Sequence, residues 1–241
     1  ALSDVVEEVG VPFTQEQLRE MGWALLGNSG FDVLKTIRKD TIPLLEYVGS
    51  APLMGIKSGL NDAFVIDRAK KEELVERNEK SREIIHPVRT GKDIRRYQLT
   101  DPGTYLIYTT RRTDLDEYPA VQEHLETYRS ELEERAAIET WYELQQPQEA
   151  YGEKFKNPKI VYPDISKNVR FCLDEQGNFL RTKANFIPTD DAYLLALLNS
   201  QIAEFYLSSV SVKYWGGYMS LKGQYVEELP IQAIWFTTDE A

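Results

Sequence analysis

The chain predicts an α+β fold, a mixed β-sheet flanked by helices with scaffold helices on its N-terminal side, and three observations carry that expectation. Short β-branched and aromatic runs bounded by turn residues are spread along the sequence, TYLIYTTR and KIVYP being the clearest. Amphipathic stretches at helical spacing stand between and around them, as in DDAYLLALLNSQIAEFYLSSV. The composition, 42% hydrophobic and 11% aromatic in 241 residues, suffices to bury a core of one or two domains.

Taken in order, TQEQLREMGWALL offers Thr14 as N-cap with Gln17 three residues on, a capping box. FDVLKTIRKDTIPLLEYV (31–48) repeats apolar residues at helical spacing until Pro43 forces a break. PLMGIKSG and DAFVID read as two strands around Gly59-Leu60-Asn61, and RAKKEELVERNEKSRE as a charged helix. TYLIYTTR is a strand opened by the turn Asp101-Pro102-Gly103. PAVQEHLETYRSELEERAAIETWYEL reads as one long helix, with Val121, Leu125, Tyr128, Leu132 and Ala136 as its buried stripe and Pro119 near its start. KIVYP and VRFCLD are strands, EQGN a hairpin turn, and DDAYLLALLNSQIAEFYLSSV a helix with Asp190 or Asp191 at its N-terminus. KYWGGYMSLKGQYVEELPI, with three glycines and three tyrosines, reads as loop or strand.

The formal charge of −11 argues against a polyanionic partner, but its distribution argues for one. Residues 35–112 carry 16 basic and 11 acidic side chains, whereas 113–150 carry 2 and 11 and read as a solvated acidic helix. The basic density peaks in IIHPVRTGKDIRRY (84–97), where Arg89, Lys92, Arg95 and Arg96 surround Gly91. Two readings stand for this run. Its cations hold phosphates while Gly91 admits a close backbone approach, or Ile85, Val88 and Ile94 are core, Asp93 pairs with an arginine and the run is scaffold. Arg111 and Arg112 either touch phosphate or pair with Asp114 and Asp116.

Two further segments have base-reading composition. Lys57, Ser58 and Asn61 lie in a loop, where Asn suits adenine and Lys guanine; Asn61 equally suits a left-handed turn. Lys213, Tyr214, Trp215, Tyr218 and Lys222 interleave cations and aromatics beside Gly216-Gly217, a pattern suited to stacking, though aromatics near a chain end more often pack in a core. Trp141, Tyr142, His86 and Cys172 read as structural.

Chemistry of its own is not expected. One cysteine precludes an internal disulfide or a thiolate cluster, and two histidines far apart are too few for a typical zinc site. There is no GxxxxGK[ST] loop, no GxSxG elbow and no HExxH, Asn157-Pro158 is followed by Lys159 where adenine methylation requires a second proline, and no Asp/Glu-x-Lys triplet occurs. No stretch approaches membrane-spanning length, so a soluble cytoplasmic protein is expected.

The ordered runs GIKSGLNDAFVID, IIHPVRTGKDIRRY, YLIY, YPAVQEHL, WYELQQP, PKIVYPDI, EQGNF, YLLALLNSQIAEFYL and YVEELPI resemble the TaqI-like C-terminal specificity domain over roughly residues 40–232. In that family it is the target-recognition part of adenine-specific DNA methyltransferases and of fused restriction-modification enzymes. The resemblance implies a DNA target-recognition domain at 49–241, a helical connection at 1–48 to a methyltransferase domain of the same polypeptide, double-stranded DNA as partner, and S-adenosylmethionine as cofactor of the parent but none for this segment. The phosphate set is then Arg89, Lys92, Arg95, Arg96, Arg111 and Arg112, and the base or groove set Lys57, Ser58, Asn61, Lys213, Tyr214, Tyr218 and Lys222. The competing expectation is a non-catalytic protein-interaction domain whose basic run meets an acidic partner.

Overall fold

The structure is a computed structural model describing residues 28–233; the Thr14–Gln17 capping box lies outside the described residues. Helix α1 (Asn28–Arg38) buries Phe31 and Leu34, one turn apart, and places Lys35 and Arg38 at its negative C-terminal end. Strand β1 (Ile42–Pro43) holds the expected break at Pro43, and α2 (Leu44–Val48) is closed by Gly49 at φ 70°. After β2 (Leu53–Met54), DAFVID departs from expectation. Its first half is a helical turn, α3 (Asn61–Phe64), and only β3 (Val65–Asp67) is strand. Ala63 and Phe64 of this turn are adjacent and both buried.

Asp67 caps α4 (Arg68–Arg77) by accepting from the Lys70 N–H, and residues 79–83 form a separate 3-10 turn. Then follow β4 (Ile85–Arg89), β5 (Ile94–Arg95), β6 (Gln98–Leu99) and β7 (Thr104–Ile107), the last opened by a turn in which the Asp101 carboxylate accepts from the Gly103 N–H. The long acidic helix is two short ones, α5 (Pro119–Glu126) and α6 (Arg129–Glu133). Val121, Leu125 and Leu132 are buried as predicted, but Tyr128 is half-buried and Ala136 exposed. The helix ends because Arg135 turns inward, donating to the carbonyls of Leu132, Ser58, Trp141 and Glu143.

The C-terminal half holds β8 (Lys159–Pro163), β9 (Ile165–Ser166), β10 (Cys172–Asp174), β11 (Phe179–Leu180) and β12 (Ala184–Ile187). The single helix expected after them is split into α7 (Ala192–Leu198), capped by Asp191, and α8 (Gln201–Val210), capped by Ser200. The break falls where the Asn199 carboxamide leaves the helix to bond both the N–H and the C=O of Phe171. β13 (Lys213–Tyr214), β14 (Tyr218–Ser220), α9 (Gly223–Val226) and β15 (Pro230–Ile231) complete the described chain.

The fold is α+β, and the sheet is divided. One antiparallel sheet has the order β10-β8-β12-β2; a mixed sheet has the order β11-β4-β7-β3, with β11 parallel to β4; β13-β14-β9 forms a smaller third sheet. Because β10 and β11 lie in different sheets, EQGN is not a hairpin turn but the passage between them. Gly177, at φ 68°, passes so close to the Lys156 carbonyl that a Cβ would sit 2.7 Å from its oxygen. Every side chain of β8 is buried: Ile160 and Tyr162 join one core with α1, α7 and α8, while Val161 joins the other with β4 and β7. A strand buried on both faces explains why KIVYP lacks polar alternation. Lys159 survives there because its ammonium donates to the Asp174 carboxylate (2.6 Å) and to the Phe155 (2.6 Å) and Asn157 (3.4 Å) carbonyls. No helix among the described residues is long and apolar enough to cross a membrane.

Candidate nucleic-acid interface

The loops that leave this framework enclose an open cleft of about 1210 Å³. Lys57, Lys92, Arg95, Arg170, Arg181 and Lys183 line it, against one carboxylate, Asp62. The cleft is thus cationic on a chain whose net charge is −11. Segments far apart in sequence meet here: the 57–62 loop, the turn between β4 and β5, the start of β9, the 181–183 connection, and Tyr218 of β14.

Each cleft arginine is held by a neutral group. Arg181 donates to the Asn61 carboxamide oxygen (2.5 Å), Arg170 to the Ser166 hydroxyl (3.0 Å), and Arg95 to the carbonyls of Lys92 (2.6 Å) and Ile94 (3.0 Å). The Arg170 pKa is lowered first by burial and then by the nearby charge of Arg95, so an anion entering here would relieve a repulsion. Lys57, Lys92 and Lys183 are exposed.

The other basic residues of the predicted phosphate set are held by carboxylates. Arg89 is 4% exposed, paired with Asp101 at 3.1 Å and bonded to the Val88 carbonyl, so it is scaffold and not a phosphate contact. Arg96 pairs with Glu204 at 3.3 Å. Arg111 and Arg112 pair with Glu139 (2.6 Å) and Glu149 (3.7 Å), not with Asp114 and Asp116, and border a different depression. Ile85, Val88 and Ile94 are core as expected, while Asp93 accepts from the Thr90 N–H and hydroxyl instead of binding an arginine. Gly91 is required by the protein's own backbone, because a Cβ there would meet the Lys183 carbonyl oxygen at 2.5 Å, and it lines the cleft.

Of the base-reading set, Ser58 is buried and its hydroxyl is spent on Asn61 (2.7 Å), which removes it as a contact. Asn61 opens a helical turn and does not adopt a left-handed conformation; the positive φ belongs to Gly59, at 83°. Lys57, Asn61 and Tyr218 line the cleft, whereas Lys213, Tyr214 and Lys222 are exposed outside its lining. The aromatics at 214–218 are not core: Tyr214 is 40%, Trp215 99% and Tyr218 42% exposed, at a hairpin tip turned by Gly216 and Gly217. Lys167 lies over the Tyr218 ring at 5.2 Å. Trp141 and Tyr142 pack half-buried against a core. His86 stacks on Phe179, ring centroids 4.1 Å apart, and burial pulls its pKa down to about 4; burial pushes the Cys172 thiol up to about 11. Sequence reasoning missed Arg170, Arg181 and Lys183. For Arg181 and Lys183 the signal was the triplet Arg181-Thr182-Lys183, one residue past EQGNF, a second basic turn beside a strand.

Fold and cleft together define an α+β domain, a doubly packed sheet whose loops gather cations, the arginines among them held by neutral hydrogen-bond partners. The sequence pattern of the TaqI-like C-terminal specificity domain matches residues 86–231, and the chain belongs to that family. It is 24% identical over 221 residues to the type II methyltransferase M.PaeR7I of Pseudomonas aeruginosa, a match spanning 87% of this chain and 37% of that protein. It is 24% identical over 213 residues to the type II methyltransferase M.XhoI of Xanthomonas vasicola, spanning 83% and 37%. The chain thus spans little more than a third of the length of these relatives. Its fold is shared with the type IIL restriction-modification enzyme MmeI, solved in complex with DNA, at a TM-score of 0.59 over 78% of this chain and 24% of that one, with 10% identity.

Proposed function

We propose that this chain binds duplex DNA in the cationic cleft and presents a target site to an adenine-specific methyltransferase domain of the same polypeptide. The observation that carries the reading is that the cleft arginines are held by neutral groups, which fixes their positions yet leaves their charge for an external anion. Lys57, Lys92, Arg95 and Lys183 serve as phosphate contacts, and the groups deeper in the cleft face base edges. S-adenosylmethionine carries a sulfonium cation, and a cleft lined by six cations does not fit it; the cofactor belongs with the methyltransferase domain. The aromatic hairpin at Trp215 stands ready to stack on a base.

A salt titration tests the reading. With duplex DNA the logarithm of affinity should fall steeply with the logarithm of salt, and changing Lys57, Lys92, Arg95 and Lys183 together to Ala should flatten the slope by roughly 3 to 4 units, close to one per lost phosphate contact. A slope unchanged by the four substitutions in a folded protein refutes a DNA-binding cleft. Binding only to an acidic protein would favour a protein-interaction domain.

A further inference from the structure

We infer that Arg181 reads guanine in the major groove and that Asn61 is its positioning residue, an assignment that rests on the DNA-binding reading of the cleft. Guanine offers two adjacent acceptors, O6 and N7, and is matched by the two-donor fork of an arginine that is held still. Arg181 meets both requirements. Its backbone is fixed between two strands: its N–H donates to the Arg89 carbonyl (3.0 Å), its carbonyl accepts from the Ala184 N–H (3.1 Å), and Gly55 packs so tightly against it that a Cβ would lie 2.4 Å from the Arg181 oxygen. Its side chain is half-buried in the cleft wall, where one hydrogen of Nη2 goes to Asn61 Oδ1. The second Nη2 hydrogen and those of Nη1, the pair that forms an end-on fork, meet no acceptor among the described residues.

The same geometry removes Asn61 as a reader of adenine. Arginine has no acceptor, so the Asn61 atom facing it must be the carboxamide oxygen, and that oxygen also takes the Ser58 hydroxyl hydrogen at 2.7 Å. Reading adenine with both ends of the carboxamide needs that oxygen free for N6–H while the amide nitrogen donates to N7. With two donors already on it, Asn61 Oδ1 is committed. The base expected opposite this wall of the cleft is therefore guanine, not adenine, and Asn61 acts through Arg181.

The test begins with the unaltered chain selecting duplexes from a randomised pool, followed by measured affinities for the selected site and its analogues. One position should be guanine. Replacing that guanine with 7-deazaguanine, which lacks the N7 acceptor, should weaken binding about 5-fold or more, while inosine, which differs only in the minor groove, should bind alike. Arg181→Met should reduce discrimination at that position by about 5- to 150-fold and abolish the 7-deazaguanine effect. Asn61→Gln, which keeps a neutral carboxamide acceptor for Arg181, should retain the guanine preference, whereas Asn61→Leu should lose most of it. A 7-deazaguanine penalty that persists in Arg181→Met, or a preference for adenine that follows Asn61, overturns the inference while leaving DNA binding intact. Selection of no duplex at all by the unaltered chain overturns the cleft reading and this assignment with it.

Discussion

Arg89 ends strand β4 and Arg181 directly follows its parallel neighbour β11, the two joined by a hydrogen bond from the Arg181 N–H to the Arg89 carbonyl, and they have opposite fates. Arg89 turns inward, where Asp101 pairs with it directly; Arg181 turns into the cleft, where a carboxamide holds it and the Asp93 carboxylate acts on it without an ion pair. The partner's charge separates the two roles. Arg96, Arg111 and Arg112 fall with Arg89, and Arg95 and Arg170 with Arg181. A cation neutralised inside the protein holds segments together; one fixed by neutral groups is positioned for something outside it.

The strongest way to test the inward class is the cation with nothing left to give. Lys159 is fully buried and all three ammonium hydrogens have acceptors, while Asp174 also takes the Gln176 and Asn178 N–H groups that shape the turn into β11. Asp174→Ala strands a buried ammonium and should destabilise the domain by about 3–5 kcal/mol, read as a lowered urea midpoint at unchanged m-value. A loss under about 1 kcal/mol would show that the pair is not what holds β8 and β10 in register.

The next effect lies at the other end of the β4–β11 pair. His86, stacked on Phe179, takes a proton only near pH 4 in the fold but near 6.5 when free of it, because burial disfavours the imidazolium. Between those values the unfolded chain binds more protons than the native one, so stability falls as pH drops from about 6.5 to about 4, by roughly 3 kcal/mol in all, and is insensitive to this group above that window. His86→Phe keeps an aromatic ring against Phe179 and should remove this share of the acid sensitivity. Identical pH profiles for the two proteins by denaturant unfolding would show that the strand pair does not carry it.

Much of the fold was legible in the sequence because it follows from local pattern. Pro43 breaks a helix, Asp101-Pro102-Gly103 opens a strand, Asp191 caps a helix, and Ile85, Val88 and Ile94 pack inside. The errors fell where a distant segment overrode that pattern. The acidic helix ends early because Arg135 reaches carbonyls on the 58 loop, and the apolar helix breaks because Asn199 bonds Phe171. The site was legible in charge but not in assignment. The meeting of the 57–61 loop with Tyr218 in one cleft follows the composition of both runs, yet the sorting of arginines depends on partners such as Glu204, 108 residues from Arg96. Arg181 looked unremarkable until its neighbour was known to be an amide.

The smallest effect is the most discriminating. Lys92 and Arg111 are both exposed and both belong to the basic third of the chain, so a count of charges treats them alike. Arg111 is joined to Glu139 at 2.6 Å, which raises its pKa through that hydrogen bond, and it lies outside the cleft. Lys92 lies within it. Neither substitution by Ala should shift the urea midpoint appreciably, as is usual for an exposed charge or surface pair. On DNA they should part: Lys92→Ala should flatten the salt dependence by about one unit, the share of one phosphate, and Arg111→Ala should leave it where it was. The two slopes, measured on one duplex over the same salt range, test that division; equal slopes would mean that neither the partner within the fold nor a place in the cleft separates the cations that meet DNA.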